Sequence, residues 1–223
     1  MNLIEYPDRD LMYLAVANKV AGQLGDFLRR NQRASLCVPG GTTPGPVFDV
    51  LSDVDLDWSR VGIFLSDERW VPESSPRSNT RLIRDRLLVN KAEEAALVPM
   101  HIDTPTPEQA IEALQTGLEP WLPISVLILG MGGDMHTASL FPGADRLAEA
   151  MEANAPMLMP MRAEGAEEPR LTLTAPVLAG ALATHLVIVG AEKRAALEKA
   201  QGLDSMQAPI RAFLGEATVH WAE

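Results

Sequence analysis

Cysteine is almost missing from this sequence. Cys37 is the only one in 223 residues, which excludes an intramolecular disulfide and any zinc site built from several cysteines. It lies in the apolar run Ser35-Leu36-Cys37-Val38, the setting of an inert core thiol. Basic residues are also scarce: 19 Lys plus Arg stand against 30 Asp plus Glu, a formal charge of −11 at pH 7. Nucleic acid is therefore not an expected partner, because binding it takes a clustered basic surface. Global acidity limits the steering of a small anion but not its capture by a local site. No uninterrupted apolar run approaches the roughly 18 residues of a membrane span, and the opening MNLIEYPDRD meets charge and proline before any signal-type core. No membrane partner is expected, and the cytoplasm is the default address. Histidine occurs four times, with no His-Glu-x-x-His pattern and no cysteine pair beside it, so no metal is expected.

Apolar residues supply 47% and charged residues 22%, the balance of a globular chain with a packed core. The apolar runs Ser35–Val38, Val61–Leu65, Ile124–Leu129 and His185–Val189 each stop at a glycine-rich or polar turn. Amphipathic or helix-length stretches lie between them: Asp8 to Asn31 with Asp8 as N-cap, then about Pro44–Leu51, Thr80–Val89, Pro107–Leu118 and Ala191–Ala200. Runs without period-two alternation, interleaved with helices, predict an α/β fold: an open, mostly parallel sheet with helices on both faces. Residues 1–223 are expected to form a single domain. Met157, Met159 and Met161 alternate around Pro160, which predicts core-filling methionines on an edge strand or loop.

Ligands of open α/β sheets bind beyond the carboxyl ends of the strands, and three unusual clusters fall there. In Gly40-Gly41-Thr42-Thr43-Pro44-Gly45, Thr43 suits an N-cap and Pro44 the first helical position. The segment is either a phosphate cradle or a plain strand-to-helix turn. Asp67-Glu68-Arg69-Trp70 is either functional or a solvated turn with an ion pair around Arg69. Gly130-Met131-Gly132-Gly133-Asp134-Met135-His136 lacks the third glycine of a dinucleotide fingerprint. It sets Asp134 two residues from His136, an arrangement suited to an oriented imidazole acting as acid or base. His101, His185 and His220, beside a Pro-rich loop or in apolar runs, are expected to be structural.

Taken in order, PGGTTP (Pro39–Pro44), SDERWVP (Ser66–Pro72), SNTRLIRDRLL (Ser78–Leu88), LGMGGDMHTASLFPG (Leu129–Gly143), PRLTLT (Pro169–Thr174) and GAEKRAAL (Gly190–Leu197) resemble the 6-phosphogluconolactonases. Their superfamily also holds the glucosamine-6-phosphate deaminases. The resemblance implies a Rossmann-like sheet and hydrolysis of a sugar-phosphate lactone, 6-phosphogluconolactone, without a cofactor. It implies that His136 is the general base and that Gly41, Thr42 and Thr43 form the phosphate loop, with Arg170 and Lys193 as further phosphate contacts. It implies that Arg69 neutralises charge on substrate or intermediate, and that Asp67 and Asp134 position groups at the reacting centre. Two positions depart from the family pattern: Asp134-Met135-His136 replaces Asp-Gly-His, and Pro39-Gly40-Gly41 replaces Ser-Gly-Gly. Met135 either adopts a conformation for which glycine is not strictly required or reshapes the floor of the site. The rivals are a deaminase-isomerase and a non-catalytic sugar-phosphate sensor. The first would need a carboxylate soon after the histidine, where Thr137–Pro142 has none. The second usually carries a DNA-binding segment, and no basic helix is present.

Overall fold

The computed structural model describes all 223 residues. Its main sheet has seven strands: β1 (Asn2–Glu5), β2 (Ala34–Val38), β3 (Val61–Leu65), β5 (Ala96–Leu97), β6 (Val126–Leu129), β9 (Thr184–Val189) and β10 (Thr218–Ala222), in the order β1-β10-β9-β6-β2-β3-β5. Every neighbouring pair in it is parallel. A smaller antiparallel sheet joins β4 (Asp67–Arg69), β8 (Arg170–Leu173) and β7 (Leu158–Met161), in that order. The helices are α1 (Arg9–Leu28), α2 (Gly45–Ser52), α3 (Asn79–Arg86), α4 (Ile111–Leu118), α5 (Leu147–Met151), α6 (Ala175–Ala179) and α7 (Ala191–Ala200). None is long and apolar enough to cross a membrane.

The central strands are apolar along their whole length because both faces are covered: all residues of β2, β3 and β6 are buried. α1 lays Met12, Val16, Ala17, Val20, Ala21, Leu24 and Leu28 into the core, while Phe27 is only partly buried. Asp8 caps it, its Oδ1 accepting from the Leu11 amide at 2.8 Å. Cys37 is fully buried, and burial chiefly, with Asp67 adding to it, raises its thiol pKa well above the usual range.

Two expectations are corrected. Thr43 does not cap α2: the helix starts at Gly45, and Pro44 occupies the cap position with no side-chain hydrogen bond. Pro44 already has near-helical backbone angles, φ −77° and ψ −15°, and its carbonyl accepts from Phe48 N at 3.0 Å. The first helical bond therefore forms one residue later than a threonine cap would give. The polar Asp67–Arg69 segment is no simple turn but a strand, registered on β8 with Asp67 opposite Thr172 and Arg69 opposite Arg170. The Met157–Met161 expectation resolves to β7, an edge strand whose Met159 and Met161 are buried.

The chain runs outward from β2 to β3 and β5 on one side and from β6 to β9 and β10 on the other, where β1, the first strand, closes the edge. β2 and β6 thus flank the point where strand order reverses, where loops diverge and leave a crevice beyond the carboxyl ends.

Candidate active site

A cavity of about 300 Å³ opens at that crevice. One wall is the loop after β2, from Pro39 to Pro44. A second is the loop after β6, with Gly130, Gly132 and His136. The third brings Asp67 and Arg69 from β4, Arg170 from β8 and Lys193 from α7. Of the residues singled out in the sequence, Gly41, Thr42, Thr43, Asp67, Arg69, His136, Arg170 and Lys193 all line it. Asp134 does not, and reaches the cavity through His136.

The His136 loop is held by its own backbone and side chains. Gly132 N donates to His136 O at 2.9 Å and Met135 N to Gly132 O at 3.0 Å. The Thr137 hydroxyl donates to Gly130 O at 2.8 Å. Asp134 Oδ1 lies 2.5 Å from His136 Nδ1 and also accepts from His136 N at 3.2 Å. The hydrogen bond with the imidazole chiefly holds the Asp134 carboxyl below its usual pKa range, against burial, which would raise it. A carboxylate on Nδ1 keeps the proton there and leaves Nε2 as the accepting nitrogen. The ring packs at 4.3 Å between centroids on Phe141. Gly132 must be glycine, since a Cβ there would overlap the His136 ring and the Asp134 carboxylate. Met135 has φ +67°, so the left-handed turn favoured by glycine persists here with a side chain. That conformation costs roughly 1–2 kcal/mol. Met135 is 8% exposed, and burial of such a side chain is worth about 1.5–3 kcal/mol, so the exchange roughly balances.

Across the cavity, Arg69 and Arg170 are direct partners on antiparallel strands, a pairing of like charges that is destabilising on its own. Both Nε atoms are buried without a hydrogen-bond partner. Burial chiefly lowers the Arg170 pKa; Asp67 opposes this and Arg69 reinforces it. Two guanidinium groups with unspent donors, side by side at a cavity wall, form a site for an anion. Arg170 also stands 5.6 Å over the Phe141 ring, so the anion site and the imidazole share one aromatic neighbour. Asp67, 6% exposed, accepts from Ser66 Oγ at 3.0 Å and from Ser139 Oγ at 2.6 Å. Lys193 lies in the first turn of α7, with its Nζ beside Gly133.

Sequence reasoning passed over Asn79 as a wall residue, and it assigned no role to Ser139. The one signal for Asn79 was its position just after Ser78, a helix cap. No group of three or more His, Cys, Asp or Glu is arranged to hold a metal. His185 and His220 are buried, as expected of structural histidines, and His101 packs on Trp70 at 4.4 Å.

The family described as "Glucosamine-6-phosphate isomerases/6-phosphogluconolactonase" matches residues 7–221. A 6-phosphogluconolactonase of Rhizobium meliloti (strain 1021) is 42% identical over 231 residues, covering 100% of this chain and 98% of that protein. One from Pseudomonas aeruginosa is 42% identical over 210 residues, covering 92% and 88%. The crystal structure of a 6-phosphogluconolactonase from Shewanella baltica OS155 superposes with a TM-score of 0.96 at 31% identity, covering 100% of this chain and 98% of that one.

Proposed function

The chain belongs to the glucosamine-6-phosphate isomerase/6-phosphogluconolactonase family, and from that premise we propose that it hydrolyses 6-phosphogluconolactone to 6-phosphogluconate with His136 as general base. The observation that carries this reading is the imidazole at the cavity wall, its Nδ1 held by Asp134 at 2.5 Å, facing a space shared with two incompletely bonded arginines. In the proposed reaction a water bound between Nε2 and the lactone carbonyl gives its proton to Nε2 as its oxygen bonds to C1. The carbonyl π electrons move to oxygen, and the cationic Arg69 offsets the oxyanion. Collapse of this intermediate breaks the bond from C1 to the ring oxygen, which takes the proton back from the imidazolium. The phosphate, held by Gly41, Thr42, Thr43, Arg170 and Lys193, keeps C1 beside the base. Asp67, fixed by its two serines, orients the polar groups around the reacting centre. These steps need no metal and no cofactor.

The deaminase alternative gains no support from Thr137–Pro142, which supplies no carboxylate for ring opening. In this reading neither nucleic acid nor a membrane is a partner, in keeping with the charge of −11, and the cytoplasm is the address.

The test is an assay of the purified protein with 6-phosphogluconolactone, with unphosphorylated gluconolactone, and with glucosamine 6-phosphate followed by ammonia release. Hydrolysis of the phosphorylated lactone well above the spontaneous rate is expected. Ammonia release, or no hydrolysis, would sink the assignment. Truncating Lys193 or Arg170 to Ala should raise KM for the phosphorylated lactone about tenfold or more, the loss of a charge-assisted contact of roughly 1.5–3 kcal/mol. The unphosphorylated lactone should be nearly indifferent. Equal losses on both substrates would mean that these side chains support the fold instead of the phosphate.

A further inference from the structure

Glu68 takes no part in the chemistry above, yet its carboxylate is fully buried and accepts from five donors. Oε1 takes Arg69 N at 2.7 Å and Asn79 N at 2.8 Å. Oε2 takes Thr80 N at 2.7 Å, the Thr80 hydroxyl at 2.7 Å and the Ser78 hydroxyl at 3.1 Å. All five donors are uncharged. A buried carboxylate is costly unless its lone pairs are met, and here they are met largely by the free N–H groups and dipole at the start of α3. Ser78 already caps that helix by accepting from Arg81 N, so capping alone leaves Glu68 unexplained.

What the carboxylate achieves is to join β4 to the first residue of α3. That residue, Asn79, is 3% exposed and turns its side chain back toward the cavity. Its Oδ1 accepts from Arg69 Nη1 at 3.0 Å and its Nδ2 donates to Asp67 O at 3.0 Å. Gly40 packs so closely on this amide that a Cβ there would overlap it. Arg69 Nη1 also donates to Arg77 O at 2.8 Å. One edge of the guanidinium is therefore held, while Nε keeps a buried, unspent donor.

We propose that Glu68 is a positioning residue: by fixing the start of α3 on β4 it makes Asn79 hold the Arg69 guanidinium in the orientation that receives the anionic ligand. The role rests on the lactonase reading, which gives Arg69 its task. A residue that only stabilised α3 would affect folding and leave Arg69 indifferent to it.

The experiment is a set of double-mutant cycles. Dissociation constants of 6-phosphogluconate are measured by calorimetry for Glu68→Gln, Asn79→Ala and Thr80→Val, each in the Arg69 and Arg69→Ala backgrounds. Glu68→Gln preserves size but offers one acceptor oxygen to donors now shared by two. It should weaken 6-phosphogluconate binding about tenfold, the scale of one lost hydrogen bond to a charged group, with Asn79→Ala changing it in the same direction. In the Arg69→Ala background both effects should shrink to within about twofold, the limit of additivity for uncoupled sites. Thr80→Val removes one donor outside the cavity wall, so if Glu68→Gln fails to fold, Thr80→Val and Asn79→Ala decide the matter by the same criterion. Equal effects in both backgrounds would overturn the proposal, as would no effect with Arg69 present or no loss of binding in Arg69→Ala alone. The wild-type lactonase assay reports separately on the reaction, and the 6-phosphogluconate cycle reads the coupling of Glu68 to Arg69 whatever that assay returns.

Discussion

Replacing His136 by Asn is expected to lower turnover of 6-phosphogluconolactone by ~10²–10⁴-fold, the usual contribution of a positioned general base, while KM changes much less. The expectation follows from the division of labour in the cavity. The imidazole Nδ1 is occupied by Asp134, so Nε2 is left to take the proton of water, whereas the groups proposed to hold the phosphate belong to other loops and helices. Loss confined to kcat is what removal of an interaction made only in the transition state produces. The wild-type rate should also fall on the acid side, because a protonated imidazole cannot accept from water, and the variant should lack that fall. Hydroxide opens lactones unaided, so the spontaneous rate must be subtracted at each pH. A folded His136→Asn protein that hydrolyses the lactone within a few-fold of wild type would end the assignment. Asp67 would then be the next group to test, since it lies in the same cavity with its carboxylate fixed by Ser66 and Ser139.

The parallel core could be read from the sequence because strands covered on both faces must be continuously apolar. Val61–Leu65 and Ala191–Ala200 have the expected bounds, and β2, β6 and β9 fall within two residues of theirs. The second sheet could not be read this way. β4 consists of Asp, Glu and Arg, the polar residues the site uses, and only its pairing with β8, far along the chain, makes it a strand. β1 and β10 are hidden for a related reason: polar Asn2, Glu5, Thr218 and His220 interrupt their apolar residues, and only the meeting of the chain ends in parallel register makes them strands. Most of the candidate site was visible because glycines and charged residues interrupt apolar runs at strand ends. What stayed hidden was the support beneath it. Nothing in the order of residues says that Glu68 is fully buried while the adjacent Arg69 lines a cavity, because that contrast depends on where α3 starts in space.

Acid should destabilise this protein well before its carboxylates are protonated, through His185 and His220. The two rings sit in one chain of hydrogen bonds on neighbouring strands. Gln23 Oε1 lies 2.7 Å from His185 Nε2, His185 Nδ1 lies 3.0 Å from His220 Nε2, and His220 Nδ1 lies 2.8 Å from the Tyr6 hydroxyl. If Gln23 accepts from His185 Nε2, then His185 Nδ1 must accept from His220 Nε2, and His220 Nδ1 must accept from Tyr6. Every position is satisfied with one proton on each ring, and a second proton on His185 Nδ1 would face the N–H of His220 Nε2. Burial, with Lys19 nearby, lowers the pKa of His185 to about 4; burial, then His185 and Lys19, lowers that of His220 to about 3. In the unfolded chain both would titrate near the ordinary histidine value of about 6.5. Between about pH 6.5 and 4 the unfolded state therefore binds more protons than the native state, so stability rises with pH across that window and is lost as pH falls through it. Each tenfold displacement of a proton equilibrium is worth about 1.4 kcal/mol, so the pair draws on a large share of the roughly 5–15 kcal/mol that holds a domain folded. Urea unfolding at a series of pH values should show stability falling from pH 6.5 to 4.5 in the wild type. A His185→Gln/His220→Gln protein, less stable at pH 7, should have a flatter profile over the same interval. A flat wild-type profile, or an unchanged slope in the double variant, would show that the buried rings are not the groups that titrate.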